Sequence, residues 1–218
     1  MTTTLAIIGT GEVGSQLARA VVRNGYRVVL ANSRGPETLT GLVAELGPAA
    51  RADHAAAAAA AGDVAVLAFP YRPEHVLPVA ELADKIVLDT NNDMVWRDGH
   101  LPEVDSGEVT EHELRQRQLP TSRLAKAFTH VEAVHLFDRA RPADAPDRIA
   151  LSVSSDHPDA VAFVTRLYDQ LGYDTVDNSP LRESWRTTPR TPAWDDHAVQ
   201  GREQLAANLL RARRVVRP

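Results

Sequence analysis

Residues 5–14 read LAIIGTGEVG, and this stretch decides the fold class. Its first four residues are an apolar run that ends at a glycine, which is typical of a buried strand. Gly9, Gly11 and Gly14 follow with the spacing G-x-G-x-x-G, and apolar positions then recur at helical spacing up to Asn24. A strand, a glycine-rich turn and a helix in this order predict the first unit of a dinucleotide-binding fold.

The three glycines have separate physical roles in such a turn. Gly9 permits the tight turn, Gly11 lets the backbone approach a pyrophosphate without a Cβ in the way, and Gly14 lets the helix pack closely on the strand. Backbone N–H groups and the positive end of the helix then bind the phosphates. A tight strand–helix turn without a ligand is the alternative that the pattern alone leaves open.

Strand and helix patterns alternate along most of the chain. Apolar runs predict further strands at 26–31, 49–52, 64–69, 86–89, 123–128, 149–153 and 173–176. Helical spacing, caps and alanine propensity predict helices at 36–47, 55–61 (capped by Asp53), 73–83, 111–117, 158–171 and 195–214. Residues 91–120 otherwise read as a long functional loop.

This alternation predicts an α/β fold of the Rossmann type, doubly wound around a mostly parallel sheet. We expect a dinucleotide-binding domain at residues 1–128. A smaller C-terminal domain at 129–218, with a small helical part, would extend the sheet.

The composition disfavours several classes of function. The net charge is −5, whereas nucleic-acid binding needs a concentrated basic face. The absence of cysteine excludes disulfides, thiolate nucleophiles and cysteine-ligated metals. No apolar run approaches the ~20 residues of a membrane span, and the N-terminus lacks a signal-peptide pattern. We expect a soluble, cytoplasmic protein with neither nucleic acid nor membrane as its partner.

The end of the second predicted strand selects between the two nicotinamide cofactors. The sequence there is ANSRGP (31–36), with no carboxylate before Glu37 to bind the ribose hydroxyls of NAD. Arg34 can pair with a 2′-phosphate, and Asn32 and Ser33 can donate further hydrogen bonds. The residues therefore favour NADP(H), while an ordinary solvated arginine is the alternative.

Two histidine-containing segments resemble reactive sites only superficially. His130 and His135 are five positions apart, so on a helix they would point in different directions, and we predict no metal site. The segment Glu111-His112-Glu113 lacks a second histidine in register and is predicted to be a solvated helix face.

Several blocks together resemble a known family, the F-420H2:NADP oxidoreductases, which are NADPH-dependent reductases of the deazaflavin coenzyme F-420. The blocks are IGTG (8–11) with VG (13–14), ANSRGPETL (31–39), DTNN (89–92), RDGH (97–100), KAF (126–128) and LRESWR (181–186). The resemblance runs over nearly the whole chain. It implies a homodimer in which hydride passes directly between stacked nicotinamide and deazaflavin rings, so that positioning carries most of the catalysis.

The resemblance also implies which residues contact NADP(H). The implied contacts are Thr10, Gly11, Glu12 and Val13 at the pyrophosphate, Ser33 and Arg34 at the 2′-phosphate, and Phe69, Pro70, His75 and Ala127 beside the cofactor.

The chain departs from the family pattern near the expected nicotinamide pocket. Thr129 and His130 follow Lys-Ala-Phe where relatives commonly have asparagine, and Asp93 and Met94 stand where relatives often carry aromatic residues. His130 could protonate a carbonyl or imine as hydride arrives, or it could be an ordinary hydrogen-bonded histidine.

Three functions remain open from the sequence. The first is hydride exchange between NADP(H) and coenzyme F-420. The second is NADPH-dependent reduction of a small carbonyl or imine, as in a biosynthetic pathway. The third is an NADP-binding sensor without turnover.

Overall fold

The computed structural model describes residues 2–136, 138–195, 200–214 and 216. Its strands are β1 Thr4–Ile8, β2 Arg27–Ala31, β3 Ala50–Ala52, β4 Val64–Leu67, β5 Ile86–Asp89, β6 Arg123–Lys126, β7 Ala150–Ser155 and β8 Asp174–Asp177. Its α-helices are α1 Glu12–Arg23, α2 Thr40–Leu46, α3 Ala55–Ala61, α4 Val79–Leu82, α5 Val95–Asp98, α6 Pro102–Asp105, α7 Glu111–Gln118, α8 Pro158–Leu171, α9 Pro192–Asp195 and α10 Arg202–Arg211. Short 3-10 helices cover Pro36–Leu39, Gly47–Ala49, Ala133–His135 and Leu181–Thr187.

The strands of the described chain form one sheet in the order β3-β2-β1-β4-β5-β6-β7-β8. Neighbouring strands pair in parallel, except that β6 and β7 are antiparallel. The direction of chain progression reverses between β1 and β4, and open α/β sheets bind their ligands at such a point. The predicted Rossmann-type, doubly wound and mostly parallel fold is confirmed.

Apolar side chains cover both faces of the central strands. Leu5 and Ile7 of β1 pack with Leu17 and Val21 of α1 on one face, while Ala6 belongs to the cluster on the other face. Successive side chains of a strand point to opposite faces, so a strand covered on both sides must be apolar throughout. Each such leucine or isoleucine stabilises the fold by about 1.5–3 kcal/mol, which makes the sheet centre a rigid base for its carboxyl edge.

Helix α1 follows the glycine turn directly and places its N-terminus at the carboxyl end of β1. It ends at Arg23, where the Asn24 N–H donates to the Val21 carbonyl at 3.1 Å. Gly25 then adopts a φ of +86°, a backbone conformation that favours glycine. The predicted limits of this helix therefore agree with the structure to within one residue.

Several predicted elements are shorter than expected. Of the helix predicted at 73–83, only Val79–Leu82 is helical, with Pro78 as its N-cap, because a proline inside a helix removes a backbone donor and clashes with the preceding turn. The sixth strand ends at Lys126, since Phe128 adopts a φ of +58°. Helix α3 forms as predicted, but its N-cap is His54. The Asp53 carboxylate accepts hydrogen bonds from the His54 N–H and from Arg51 instead.

The segment between β5 and β6 is more ordered than the predicted long loop, because it contains α5, α6 and α7. Helix α7 begins with a capping box in which Thr110 and Glu113 exchange hydrogen bonds. The prediction of a solvated face at its start was wrong. Glu111 and His112 are only 3% and 1% exposed, and Arg115 is fully buried.

The C-terminal part of the chain continues the same sheet. Strand β7 adds to β6, helix α8 crosses over, and β8 pairs in parallel with β7. The helix predicted at 195–214 is observed as Arg202–Arg211, while residues 196–199 lie outside the described part. The domain boundary between residues 128 and 129 stays a prediction. Within the described ranges, no helix is long and apolar enough to cross a membrane.

Candidate functional site

A groove crosses the carboxyl ends of β1, β2 and β4, where the strand order reverses. Its volume is about 570 Å³. Nine of the residues that the sequence nominated for NADP(H) line it together: Gly9, Thr10, Gly11, Asn32, Ser33, Arg34, Phe69, Pro70 and His75. We call it the cofactor groove.

Steric contacts separate the roles of the three loop glycines. A Cβ on Gly9, whose φ is +95°, would lie 2.5 Å from the Ala68 carbonyl oxygen. A Cβ on Gly14 would lie 1.9 Å from the Gly9 carbonyl oxygen, so both positions need glycine for the turn itself. Gly11 has a φ of −74° and nothing within 4 Å of the Cβ position. The protein alone does not require glycine there, but a pyrophosphate lying against the backbone does.

Two buried polar atoms of the cofactor groove have no partner among the described residues. They are Thr10 Oγ1 on the glycine loop and His75 Nδ1 on the opposite wall. The His75 ring stacks edge-on against Phe69, with 5.2 Å between ring centroids. Burial lowers the pKa of His75, so the ring is neutral at physiological pH. Buried groups of this kind are normally hydrogen-bonded, and both could bond a ligand in the groove.

The loop after β2 is shaped by its own side chains. The Asn32 side chain accepts from the Arg34 backbone N–H at 2.9 Å and donates to Thr38 Oγ1 at 2.9 Å. Gly35 has a φ of +101°, and its carbonyl accepts from the Thr38 hydroxyl at 2.8 Å. This leaves the Arg34 side chain exposed beside the groove, with no ion-pair partner among the described residues. An exposed guanidinium at this position could pair with a 2′-phosphate, and that role of Arg34 stays a prediction.

A second compartment of about 360 Å³ adjoins the cofactor groove, and both share Ala68, Phe69 and Pro70. Glu12 and Val13, at the start of α1, lie at this end of the glycine loop. The remaining lining residues come from the ends of β5 and β6 and from segments that follow them: Thr90, Asn91, Asn92, Met94, Arg97, Phe128, Thr129, Val131, Glu132, Ala133, Val134 and Trp194. An elongated molecule could extend from one volume into the other.

Three nominated residues line neither volume, namely Gly14, Ala127 and His130. Gly14 is buried beneath the loop, in agreement with its predicted packing role. Ala127 is fully buried, and the neighbouring Phe128 takes the place expected for it at the compartment wall. Of the positions that depart from the family pattern, Met94 and Thr129 do line the second compartment.

His130 is not placed as a proton donor. Its side chain is 2% exposed, and its Nε2 accepts a hydrogen bond from the Ser152 N–H at 2.9 Å. An accepting nitrogen carries a lone pair in place of the proton. This corrects the expectation that His130 protonates a substrate, and it favours the alternative of a hydrogen-bonded histidine.

A buried polar cluster lies behind the wall of the second compartment, and the sequence analysis missed it. Arg115 Nε donates to Asp89 Oδ2 at 3.1 Å, and both side chains are fully buried. The Arg115 guanidinium also lies over the rings of Phe69 and Tyr71, at 5.0 and 5.1 Å from their centroids. Arg115 therefore supports Phe69, the side chain shared by both volumes.

Lys126 and Glu111 contact the compartment wall through two asparagines. Lys126 Nζ donates to Asn92 Oδ1 at 3.0 Å, and the Asn91 side-chain amide donates to Glu111 Oε1. Burial, reinforced by the nearby Asp89 carboxylate, raises the pKa of Glu111 to about 8. Burial lowers the pKa of Lys126 to about 7. The two groups therefore change charge near neutral pH, close to the compartment.

Glu111 also opens helix α7, where the helix dipole favours an anion by about 0.3–1 kcal/mol. One pKa unit corresponds to about 1.4 kcal/mol, so the rise of several units means that burial outweighs the dipole. One feature of the sequence could have predicted this cluster. Asp89 and Lys126 end adjacent parallel strands, and polar residues at that edge converge in space.

Comparison with known families gives a match to the N-terminal part of the chain. Residues 4–93 match the family described as NADP oxidoreductase, coenzyme F420-dependent. The match covers less than half of the chain. The predicted resemblance is thereby confirmed, and the predicted enzyme class, an NADP-dependent oxidoreductase, is the class of the family.

Two solved structures share the fold of this chain over most of their own length. A hypothetical protein, SMa0349, from Sinorhizobium meliloti is 29% identical, with a TM-score of 0.67 over 83% of this chain and 86% of that one. A protein from Arthrobacter sp. FB24 named "putative F420 dependent NADP-reductase" is 24% identical, with a TM-score of 0.69 over 84% of this chain and 87% of that one.

A curated relative matches a shorter segment. The "Putative protein YjhV" of Escherichia coli strain K12 is 38% identical over 53 residues, which are 24% of this chain and 39% of that protein. The match therefore spans less than half of the curated relative's length.

Proposed function

We propose that this protein transfers hydride between NADP(H) and the deazaflavin coenzyme F-420. The observation that carries the proposal is the pair of adjoining volumes at the sheet edge, one built for a phosphorylated dinucleotide and one open beside it. The family match over residues 4–93, which form the walls of the cofactor groove, supports the same reaction.

The residues of the cofactor groove fit NADP(H) from end to end. Arg34 lines the groove at the end where a 2′-phosphate would bind, and none of the described residues that line the groove carries a carboxylate. The bare backbone at Gly11, the unpartnered Thr10 hydroxyl and the N-terminus of α1 suit the pyrophosphate. The nicotinamide would then enter the second compartment past Glu12 and Val13.

When bound, NADPH supplies the hydride. The protein's contribution is to hold two planar rings in contact, at roughly 3–3.5 Å between the reacting atoms. Phe69 lines both volumes, and the guanidinium of Arg115 packs against its ring. Met94, Phe128 and Val131 provide apolar area for ring stacking, while Asn91, Asn92 and Thr129 provide polar contacts.

The direct test is a turnover assay with NADPH and oxidised coenzyme F-420, followed as the loss of visible absorbance of the deazaflavin. We expect turnover with NADPH and much slower turnover with NADH at the same concentration. NADPH binding is measured in parallel by titration calorimetry. Tight NADPH binding without deazaflavin reduction across a broad pH range would leave the cofactor assignment intact and overturn the proposed second substrate.

Other features of the proposal follow from the sequence and remain predictions. They are a homodimer, a cytoplasmic location and a C-terminal domain that begins near residue 129. Analytical ultracentrifugation of the purified protein tests the homodimer.

A further inference from the structure

A small cavity lies on the far side of the buried polar cluster, between the start of α7 and the 3-10 helix Leu181–Thr187. Its volume is about 40 Å³. One buried water needs ~10–15 Å³ of such volume, so the cavity can hold two or three. Its lining residues are Asp93, Val104, Val109, Thr110, Glu111, His112, Ser184, Trp185, Thr188, Pro189, Arg190, Thr191 and Arg214.

Three buried polar atoms of this cavity have no hydrogen-bond partner within the described ranges. They are Glu111 Oε2, His112 Nε2 and Ser184 Oγ. Their residues are at most 3% exposed. Buried polar atoms nearly always have partners, and three around one volume of this size indicate ordered water.

The imidazole of His112 defines one acceptor. Its ring bonds to the backbone of Asn91, and since Nε2 has no partner, Nδ1 makes that bond by donating to the carbonyl. Burial keeps the pKa of His112 well below its usual range, so the ring is neutral. Nε2 therefore presents a lone pair to the cavity and needs a donor.

Glu111 receives no direct hydrogen bond from either neighbouring cation. Arg115 donates through Nε to Asp89, and Lys126 donates to Asn92 Oδ1 and to the Ser184 carbonyl at 2.9 Å. The carboxylates of Asp89 and Asp93 also act on Glu111 and oppose its ionisation. With Oε1 accepting from Asn91, a proton on Glu111 belongs on Oε2, the unpartnered oxygen of a residue that lines the cavity.

We propose that Glu111 acts as a neutral carboxylic acid whose Oε2–H donates to water in this cavity, and that its Oε1 positions Asn91 at the wall of the second compartment. Such a water can accept from Glu111 and donate to His112 Nε2 and Ser184 Oγ, which satisfies all three atoms. Glu111 is thus a positioning residue. Its effect on a second substrate rests on the proposed function, whereas its protonation does not.

The link to the compartment runs through one amide. Asn91 donates to Glu111, and its Oδ1 accepts from Arg97 Nη2 at 3.0 Å. Arg97 also donates to the Asn92 carbonyl at 2.9 Å, and all three residues line the compartment. Without an acceptor at Glu111, the Asn91 amide loses the hydrogen bond that fixes its orientation, and its contact with Arg97 is lost as well.

Infrared spectroscopy of the protein tests the protonation directly. Wild type at pH 7 should show the C=O stretching band of a buried carboxylic acid, shifted on transfer to D₂O. The band should be absent in Glu111→Gln and present in Glu108→Gln, which makes the same change at an exposed residue of the preceding loop. A wild-type spectrum without the band at pH 7 would overturn the proposal, whatever the second substrate is.

Kinetics and calorimetry test the positioning role. Glutamine retains both an acceptor for Asn91 and a donor for the cavity, so Glu111→Gln should keep the KM of the second substrate within about twofold of wild type. Glu111→Leu removes both and should raise that KM on the order of 10-fold, with the Kd for NADPH unchanged. If Gln and Leu raised KM equally, the positioning role would be refuted. A crystal structure with a dry cavity would refute the water assignment.

Discussion

Replacing Glu111 with glutamine should change how the stability of the protein depends on pH. Glutamine has the shape of the protonated acid, so Asn91 keeps its acceptor, but it does not titrate. The charged groups that act on Glu111 are Asp89 at the end of β5, Asp93 after it, Arg97 on α5, Lys126 at the end of β6 and Arg115 on α7. All of them remain in the variant, so the difference between the two proteins isolates one carboxyl group.

The sign and size follow from the raised pKa. Burial raises the pKa of Glu111 in the folded protein from 4.5 to about 8, so its proton stabilises the fold fully below pH 4.5 and this stabilisation is lost as the pH rises towards 8. In that interval the folded state holds one proton more than the unfolded state. The free energy of unfolding therefore falls by about 1.4 kcal/mol per pH unit. Lys126, with its pKa lowered to about 7, contributes the opposite slope only above that pH.

The assay is urea unfolding at pH 5, 6 and 7, followed by circular dichroism. Relative to Glu111→Gln, wild type should lose about 2–3 kcal/mol of unfolding free energy between pH 5 and pH 7. Glu108→Gln serves as the control and should parallel wild type. Parallel curves for wild type and Glu111→Gln would show that Glu111 is ionised in the folded protein, and the reasoning from burial would be refuted.

Three further predictions concern the cofactor groove and the fold. Arg34→Ala should weaken NADPH binding by about 1.5–3 kcal/mol, roughly 10- to 150-fold, and should leave NADH binding unchanged in calorimetry. Arg27→Ala, at the other end of β2, is the control and should leave the binding of both cofactors unchanged. Gly11→Val should abolish binding of both cofactors without unfolding the protein, while Gly41→Val, also with open space at its Cβ, should bind NADPH normally. Lys85→Met removes an ammonium that bonds three backbone carbonyls at the end of α3 and should lower the unfolding free energy by about 1–3 kcal/mol; an unchanged urea midpoint would contradict this.

The features that the sequence predicted well depend on local geometry. The glycine spacing, the buried strand before it and the ANSRGP segment after β2 each act within a few residues, so their placement at one sheet edge follows from the parallel alternation alone. Predicted groove residues that follow the ends of separate strands, such as Gly11, Arg34 and Phe69, line one groove for this reason.

The features that the sequence did not predict depend on contacts between distant segments. Glu111 and His112 have the polarity of a surface helix, and they are buried because α7 packs against both β6 and the 3-10 helix Leu181–Thr187. His130 is likewise removed from the compartment by its bond to Ser152, on a strand 22 residues later. The helix expected at 73–83 is shorter for a local reason, since Pro78 lacks a backbone N–H and is not accommodated inside a helix.

The antiparallel junction between β6 and β7 has a consequence for where this chain could be divided. In β6, Leu124, Ala125 and Lys126 are fully or almost fully covered, and part of that cover comes from β7 and from the Ser184 carbonyl. A fragment that stopped near residue 128 would expose an apolar strand edge, together with an ammonium group that had lost an acceptor. Such edges recruit other chains and aggregate. The change of strand direction thus marks a boundary in topology, and the two sides of it depend on each other for solubility.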